Sequence, residues 1–175
     1  MGMIAWRNLI SIITVFAFMV PLPASAEWKY KISKNEWLNQ NNYYAWVNST
    51  NRLSDPYSSG TPAHLSLVQY DWEDIAISMS IDGGKFSCNH CEITIRFDNS
   101  NPQVAWAYLH EYGSADTLYF RGTRDDCLSL SQSGAILNMI NKLKAAKSVS
   151  IKATVSNEGD KVFEFKTSGL KWPLK

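Results

Sequence analysis

In the stretch DIAISMSI, Ile75, Ile77, Met79 and Ile81 recur at every second position, with Ala76, Ser78 and Ser80 between them. A period of two puts the apolar side chains on one face of an extended strand and the small or polar ones on the other. The same rhythm runs through CEITIRFD, where Ile93, Ile95 and Phe97 oppose Glu92, Thr94, Arg96 and Asp98. It returns in SVSIKATVS, where Val149, Ile151, Ala153 and Val155 alternate with Ser150, Lys152, Thr154 and Ser156. Weaker alternation marks WKYKI, YYAWVN, AHLSLVQY, VAWAYLHEY, TLYFR and KVFEFK. Half-buried strands in this number require an antiparallel β fold with a single apolar side.

The intervening residues read as turns. Asp82-Gly83-Gly84 carries a tight-turn signal between the Ile75–Ile81 strand and the segment leading to Cys88, and is expected to make a hairpin. NEGD (157–160) joins the Val149–Val155 strand to KVFEFK, DNSNPQ (98–103) ends the Ile93–Phe97 strand, and RLSDPYSSGTP is a turn-rich connection. One segment has helical spacing instead. In SQSGAILNMINKLKAAK, Ile136, Ile140, Leu143 and Lys147 share a stripe that Leu137 and Met139 widen. Ser131 or Ser133 can cap its start, and Lys142, Lys144 and Lys147 suit the negative end of its dipole. A single α-helix near residues 133–146 is expected.

Residues 1–26 have the parts of a secretory signal peptide. Arg7 precedes an apolar run from Leu9 to Val20, Pro21 and Pro23 break it, and Ala24-Ser25-Ala26 offers small residues for cleavage. The mature chain would then be one domain, 27–175, beginning at Glu27 in the periplasm or outside the cell, with no membrane span left after cleavage. Of the seventeen basic residues, losing Arg7 leaves sixteen, against sixteen acidic ones. A neutral domain has no strong electrostatic pull on nucleic acid, which is not expected as a partner.

Three cysteines remain to be explained. Cys88 and Cys91 have the Cys-x-x-Cys spacing, but a strand follows them, and the helix N-terminus that activates a redox thiol is missing. Zinc would need a second ligand near Cys127, and none is close in sequence. No metal or cofactor is expected. A disulfide suits the oxidising compartment, yet parity leaves the pairing open. Cys88 and Cys91 would face opposite sides of an unbroken strand and meet only if Asn89-His90 turns. Cys91 has the parity of core-facing Ile93 and could pair with Cys127 instead.

A wider pattern connects these pieces: WKY at the start of the mature chain, STN and DPYSSG, then GGKFSCNHCEITIRFDN, and at the end LKAAKSVSIKATVSNEGDKVFEFKTSGLKW. It resembles a family of small exported bacterial β-rich proteins with a Pro-Tyr loop, paired cysteines before an Arg-Phe-Asp strand, and a closing Gly-Leu-x-Trp. More distantly, the layout is similar to accessory lipoproteins of type VI secretion and to invasion-associated locus B proteins. The resemblance implies an antiparallel β-sandwich-like domain and no established activity. It also implies that Cys88 pairs with Cys91 as a structural staple, leaving Cys127 free.

No Gly-x-Ser-x-Gly elbow or phosphate-cradling glycine loop occurs, and His110 beside Glu111 on a strand would face the opposite way. The expectation is therefore a non-enzymatic accessory protein that binds a protein or cell-envelope component. The alternative is an inhibitor or immunity protein against a cell-wall-degrading enzyme, with NRLSDPYSSG or RGTRDD as the inserting loop. Candidate partner-binding residues are Trp37, Trp46 and Tyr57, near the Asn-rich and Pro-Tyr loops, and Arg96 with Asp98 around Phe97.

Overall fold

The computed structural model describes residues 27–37, 39–53, 60, 62–70, 75–88, 90–109 and 115–172, so the leader expectation for residues 1–26 lies outside it. Each alternating run forms a strand. In chain order these are β1 (Lys29–Asn35), β2 (Gln40–Arg52), β3 (Pro62–Gln69), β4 (Ile75–Ile81), β5 (His90–Phe97), β6 (Gln103–Leu109), β7 (Thr117–Thr123), β8 (Ser148–Val155) and β9 (Gly159–Lys166). Two helices, α1 (Arg124–Ser129) and α2 (Gln132–Ala145), separate β7 from β8. Burial follows the period of two: β5 buries Cys91, Ile93, Ile95 and Phe97 and leaves His90, Glu92 and Arg96 exposed.

All strand pairs are antiparallel, in the order β1-β2-β3-β4-β7-β6-β5-β8-β9, and β9 returns to β2. The sheet is thus an eight-strand barrel with β1 as an added strand, and the expected sandwich is overturned. The two folds write the same alternation into each strand, since both bury one face. What separates them is one long-range contact that the alternation does not encode. An eight-strand barrel has an interior that side chains can fill. Leu65, Leu67, Ile77, Met79, Ile81, Ile95, Leu118, Ile151, Phe163 and Phe165 do so, each less than 2 % exposed.

Closure rests on little main-chain pairing. Ser49 opposite Phe165 is the one registered β2–β9 pair. Asn51 extends the seam with its side chain: Nδ2 donates to the Val162 carbonyl at 2.6 Å, and Oδ1 accepts from the Glu164 N–H at 2.9 Å. The amide thereby takes the place of a peptide group in the ladder. The Thr50 hydroxyl adds a bond to the Glu164 carbonyl at 3.2 Å. β1 lies along the other half of the same edge, from Gln40 to Trp46. It is held by the Trp28 indole donating to the Thr167 carbonyl (3.0 Å) and by the Tyr30 hydroxyl accepting from the Lys171 N–H (2.9 Å).

The turns at 98–103 and 157–160 join paired neighbours, β5 to β6 and β8 to β9. Asp82-Gly83-Gly84 does not make the expected hairpin, because β4 pairs with β3 and β7 while β5 pairs with β6 and β8. The segment after it instead meets both β7's approach and β8's end. The Phe86 N–H donates to the Ala115 carbonyl, the Ser87 N–H donates to the Thr154 carbonyl, and Phe86 is buried edge-on to Phe163.

The long helix runs one residue ahead of its expected place, capped by Ser131, whose hydroxyl accepts from the Gly134 N–H at 3.2 Å. Ala135, Ile136, Met139, Ile140 and Leu143 are buried, and Leu137 is left half exposed. The expectation of a single helix is corrected by α1. Its six residues are too few to show a helical period, and none is buried. It is defined by its cap. The Thr123 hydroxyl contacts Asp126 at 2.6 Å, and Asp126 also accepts from Lys142 Nζ (2.9 Å) and Asn138 Nδ2 (2.8 Å) of α2. Burial alone would raise the Asp126 pKa, but the bonds from Thr123, Lys142 and Asn138 outweigh it and hold the carboxyl below its usual range.

Candidate functional site

With the interior packed, the side chains left to meet solvent along the strands are those of the outer wall. The strand registers set one outward row across six strands: Trp46 on β2, Ser66 on β3, Ser78 on β4, Tyr119 on β7, Tyr108 on β6 and His90 on β5. Tyr119 and Tyr108 lie with ring centroids 5.7 Å apart. Above the small serines, Tyr44 and Tyr70 meet edge to face at 6.5 Å. Burial, with Tyr44 and Tyr119 nearby, raises the Tyr70 pKa.

Next to the row, between β6 and β7, lies an irregularity at a charged residue. Ala107 pairs with Phe120, whereas the neighbouring Trp106 pairs with Gly122, so Arg121 is an extra residue on β7. Such a bulge bends the strand and redirects its side chain. Gly122 permits it with φ of +128°, and a Cβ there would lie 2.8 Å from the Ala135 Cβ of α2. The Arg121 guanidinium is carried to 4.9 Å over the Tyr108 ring, a cation–π contact.

Beside the bulge is a pit of about 250 Å³, lined by His90, Cys91, Glu92, Trp106, Ala107 and Arg121. Cys91 and Ala107 are the inward-facing, buried members of this group, so the strand backbone they belong to forms its floor. Outward neighbours form the rim. The Trp106 indole donates to Glu92 Oε1 at 3.4 Å. Cys91 is bonded to Cys88, with 5.6 Å between their Cα atoms, so the disulfide anchors the start of β5 behind the pit. Cys127 is an unpaired thiol on α1, its pKa raised by burial and by Asp126. Asn89, half of the turn expected between the bridged cysteines, lies outside the described residues.

The candidate residues named from sequence are scattered. Trp37 stands in the turn after β1, 98 % exposed, its N–H donating to Asn35 Oδ1. Trp46 belongs to the outward row. Tyr57 lies outside the described residues, as do His110 and Glu111. Arg96 is exposed on β5. Asp98, at φ of +49°, has its Oδ1 accepting from the Lys147 and Ser148 N–H groups at 2.8 and 2.9 Å, which fixes the entry to β8. Among the described residues, no group of three or more His, Cys, Asp or Glu side chains is placed to hold a metal.

Of the pit residues, Cys91 was expected only as a bridge cysteine and Arg121 only within the RGTRDD loop, and Glu92 and Trp106 were not named as binding residues. VAWAYLHEY does put Trp106 and Tyr108 on one face, but the bulge that brings Arg121 to them depends on β6–β7 register. RGTRDD, expected as a projecting loop, forms the end of β7 and the first turn of α1. In comparisons with known proteins, no family model, curated protein or solved structure matches this chain.

Proposed function

We propose that this chain is an exported, non-enzymatic binding protein that engages an envelope or secretion-system component through the outer face of β5, β6 and β7. The observation that carries the reading is the bulge-set Arg121 over Tyr108, flanked by Tyr119 and Trp106 on an outer wall. Tyr, Trp and Arg are the side chains that dominate binding energy at protein surfaces, because each brings a large apolar area with a polar handle. Here their geometry is set in advance by strand register, so little entropy is lost on binding. The signal-peptide pattern of residues 1–26 and the resemblance to exported proteins supply the compartment.

The test is cross-linking capture from envelope extract, comparing the natural protein with Arg121→Ala and Tyr119→Ala. A component retained by the natural protein and lost from both folded variants supports the face. Equal retention by all three refutes it.

The inhibitor reading has its own observation, the β1–β2 hairpin. Its turn carries Glu36 and the fully exposed Trp37, a shape that can enter a cleft on an enzyme. Inhibition of a cell-wall hydrolase that is abolished by Trp37→Ala, with the β5–β7 face intact, would favour this second reading over the first.

A further inference from the structure

We infer that the pit at the β6–β7 bulge is a saccharide subsite, seating one neutral pyranose ring against Trp106. This rests on the outer-face reading above and names the class of ligand that the face takes.

Size is the first argument. About 250 Å³ is below the roughly 300–1,000 Å³ typical of pockets for drug-sized ligands, and suits a group the size of one sugar. The second is the division of labour on the rim. Glu92, ionised, can only accept hydrogen bonds, and Arg121 can only donate them. A hydroxyl does both. A sugar carrying neighbouring hydroxyls can therefore donate to the Glu92 carboxylate and accept from the planar Arg121 fork at the same time. The apolar C–H face of the ring then has the Trp106 indole to pack against.

Charge narrows the class further. Glu92 and Arg121 line the same pit, and no ion pair joins them among the described residues. A simple anion would meet Glu92 and a simple cation would meet Arg121, so a neutral polar ligand is favoured over both. A small zwitterion could match both charges but would leave the indole face uncovered.

The rim is also held before any ligand arrives. Glu92 is fixed by the Trp106 indole, Arg121 by the Tyr108 ring, and the floor by the Cys88–Cys91 bridge. Beyond the pit and the Arg121-covered Tyr108, Tyr119 continues along the wall, so a further residue of a glycan has an aromatic ring to lie against.

The decisive experiment follows the Trp106 indole resonance by nitrogen–proton NMR in the whole protein. The probes are the trimer of N-acetylglucosamine, maltotriose and xylotriose, with glycine and inorganic phosphate as comparison ligands. At least one glycan should shift the resonance saturably, with a Kd on the order of 0.1–10 mM. Glu92→Gln and Arg121→Gln should each weaken that binding about tenfold, the effect of losing a charge-assisted hydrogen bond. Leu137→Ala, on the exposed side of α2, should not change it. Two variants are used so that one still reports if the other fails to fold.

No saturable shift from any of the three glycans overturns the saccharide assignment, and so does a shift from glycine or phosphate alone. If capture from envelope extract depends on Arg121 and Tyr119 while no glycan moves Trp106, the binding face stands and the saccharide class falls.

Discussion

Replacing Asn51 tests the barrel where its ladder is thinnest. The Asn51 amide supplies two bonds across the β2–β9 seam, to the Val162 carbonyl and the Glu164 N–H, beside one registered main-chain pair. A hydrogen bond contributes about 0.5–1.5 kcal/mol net, and these two are solvent-exposed, so water partly replaces them in a variant. Asn51→Ala should therefore cost about 1–2 kcal/mol. For a domain of this size that corresponds to a fall in Tm of roughly 2–8 °C. Asn51→Asp is the sharper variant. It keeps an acceptor for Glu164 but has no donor for Val162, and it sets a carboxylate against a carbonyl oxygen, so it should cost at least as much as alanine. Urea denaturation gives the free energy, and amide exchange locates it, with faster exchange expected at Glu164. If both variants stay within about 0.3 kcal/mol of the natural protein and Glu164 exchange is unchanged, the side chain does not hold the seam.

Three further outcomes follow from the packing. Because its folded-state bonds depress the Asp126 pKa, the stability that Asp126 contributes is present above its unfolded value of 3.8 and drains away as pH falls below it; Asp126→Asn should flatten that part of a stability–pH curve measured by urea denaturation. Gly122→Ala meets both a positive φ and the Ala135 Cβ at 2.8 Å, so thermal denaturation should show a loss of about 2–4 kcal/mol. Removing the Cys88–Cys91 bridge by a double serine substitution should cost about 1–3 kcal/mol, since its loop is short, and Cys127→Ser should leave the bridge intact in non-reducing peptide maps.

Local chemistry was legible in the sequence wherever a signal lies within a few residues. Ile93, Ile95 and Phe97 announce β5 by their spacing, and Ser131 with Ile136, Ile140 and Leu143 announces α2. The barrel was not legible, because Asn51 and Glu164 meet from 113 residues apart and neither belongs to an apolar pattern. The hairpin expected at Asp82-Gly83-Gly84 failed for a related reason. A glycine turn reports that the chain bends and says nothing about which strand it pairs with next. The pit was hidden by a single extra residue. Alternation places Arg121 on the face of Tyr119, as the structure does, but nothing in the letters shows that β6 skips it as a partner. Gly122 was the available clue, a glycine late in a strand just before a helix cap, since such glycines mark bulges.

The two strands that share one edge of β2 have a consequence for synthesis. β2 can pair with β1 as soon as both have emerged, since their partners are neighbours in sequence, but its remaining stretch near Ser49 must wait for β9, the last strand made. Until then that edge is an open template for pairing with other chains. β1 covers it from Gln40 to Trp46, leaving only the short end that Asn51 and Thr50 later fasten. The strand outside the barrel therefore acts as a guard until the barrel closes, shielding the unfinished wall from its neighbours.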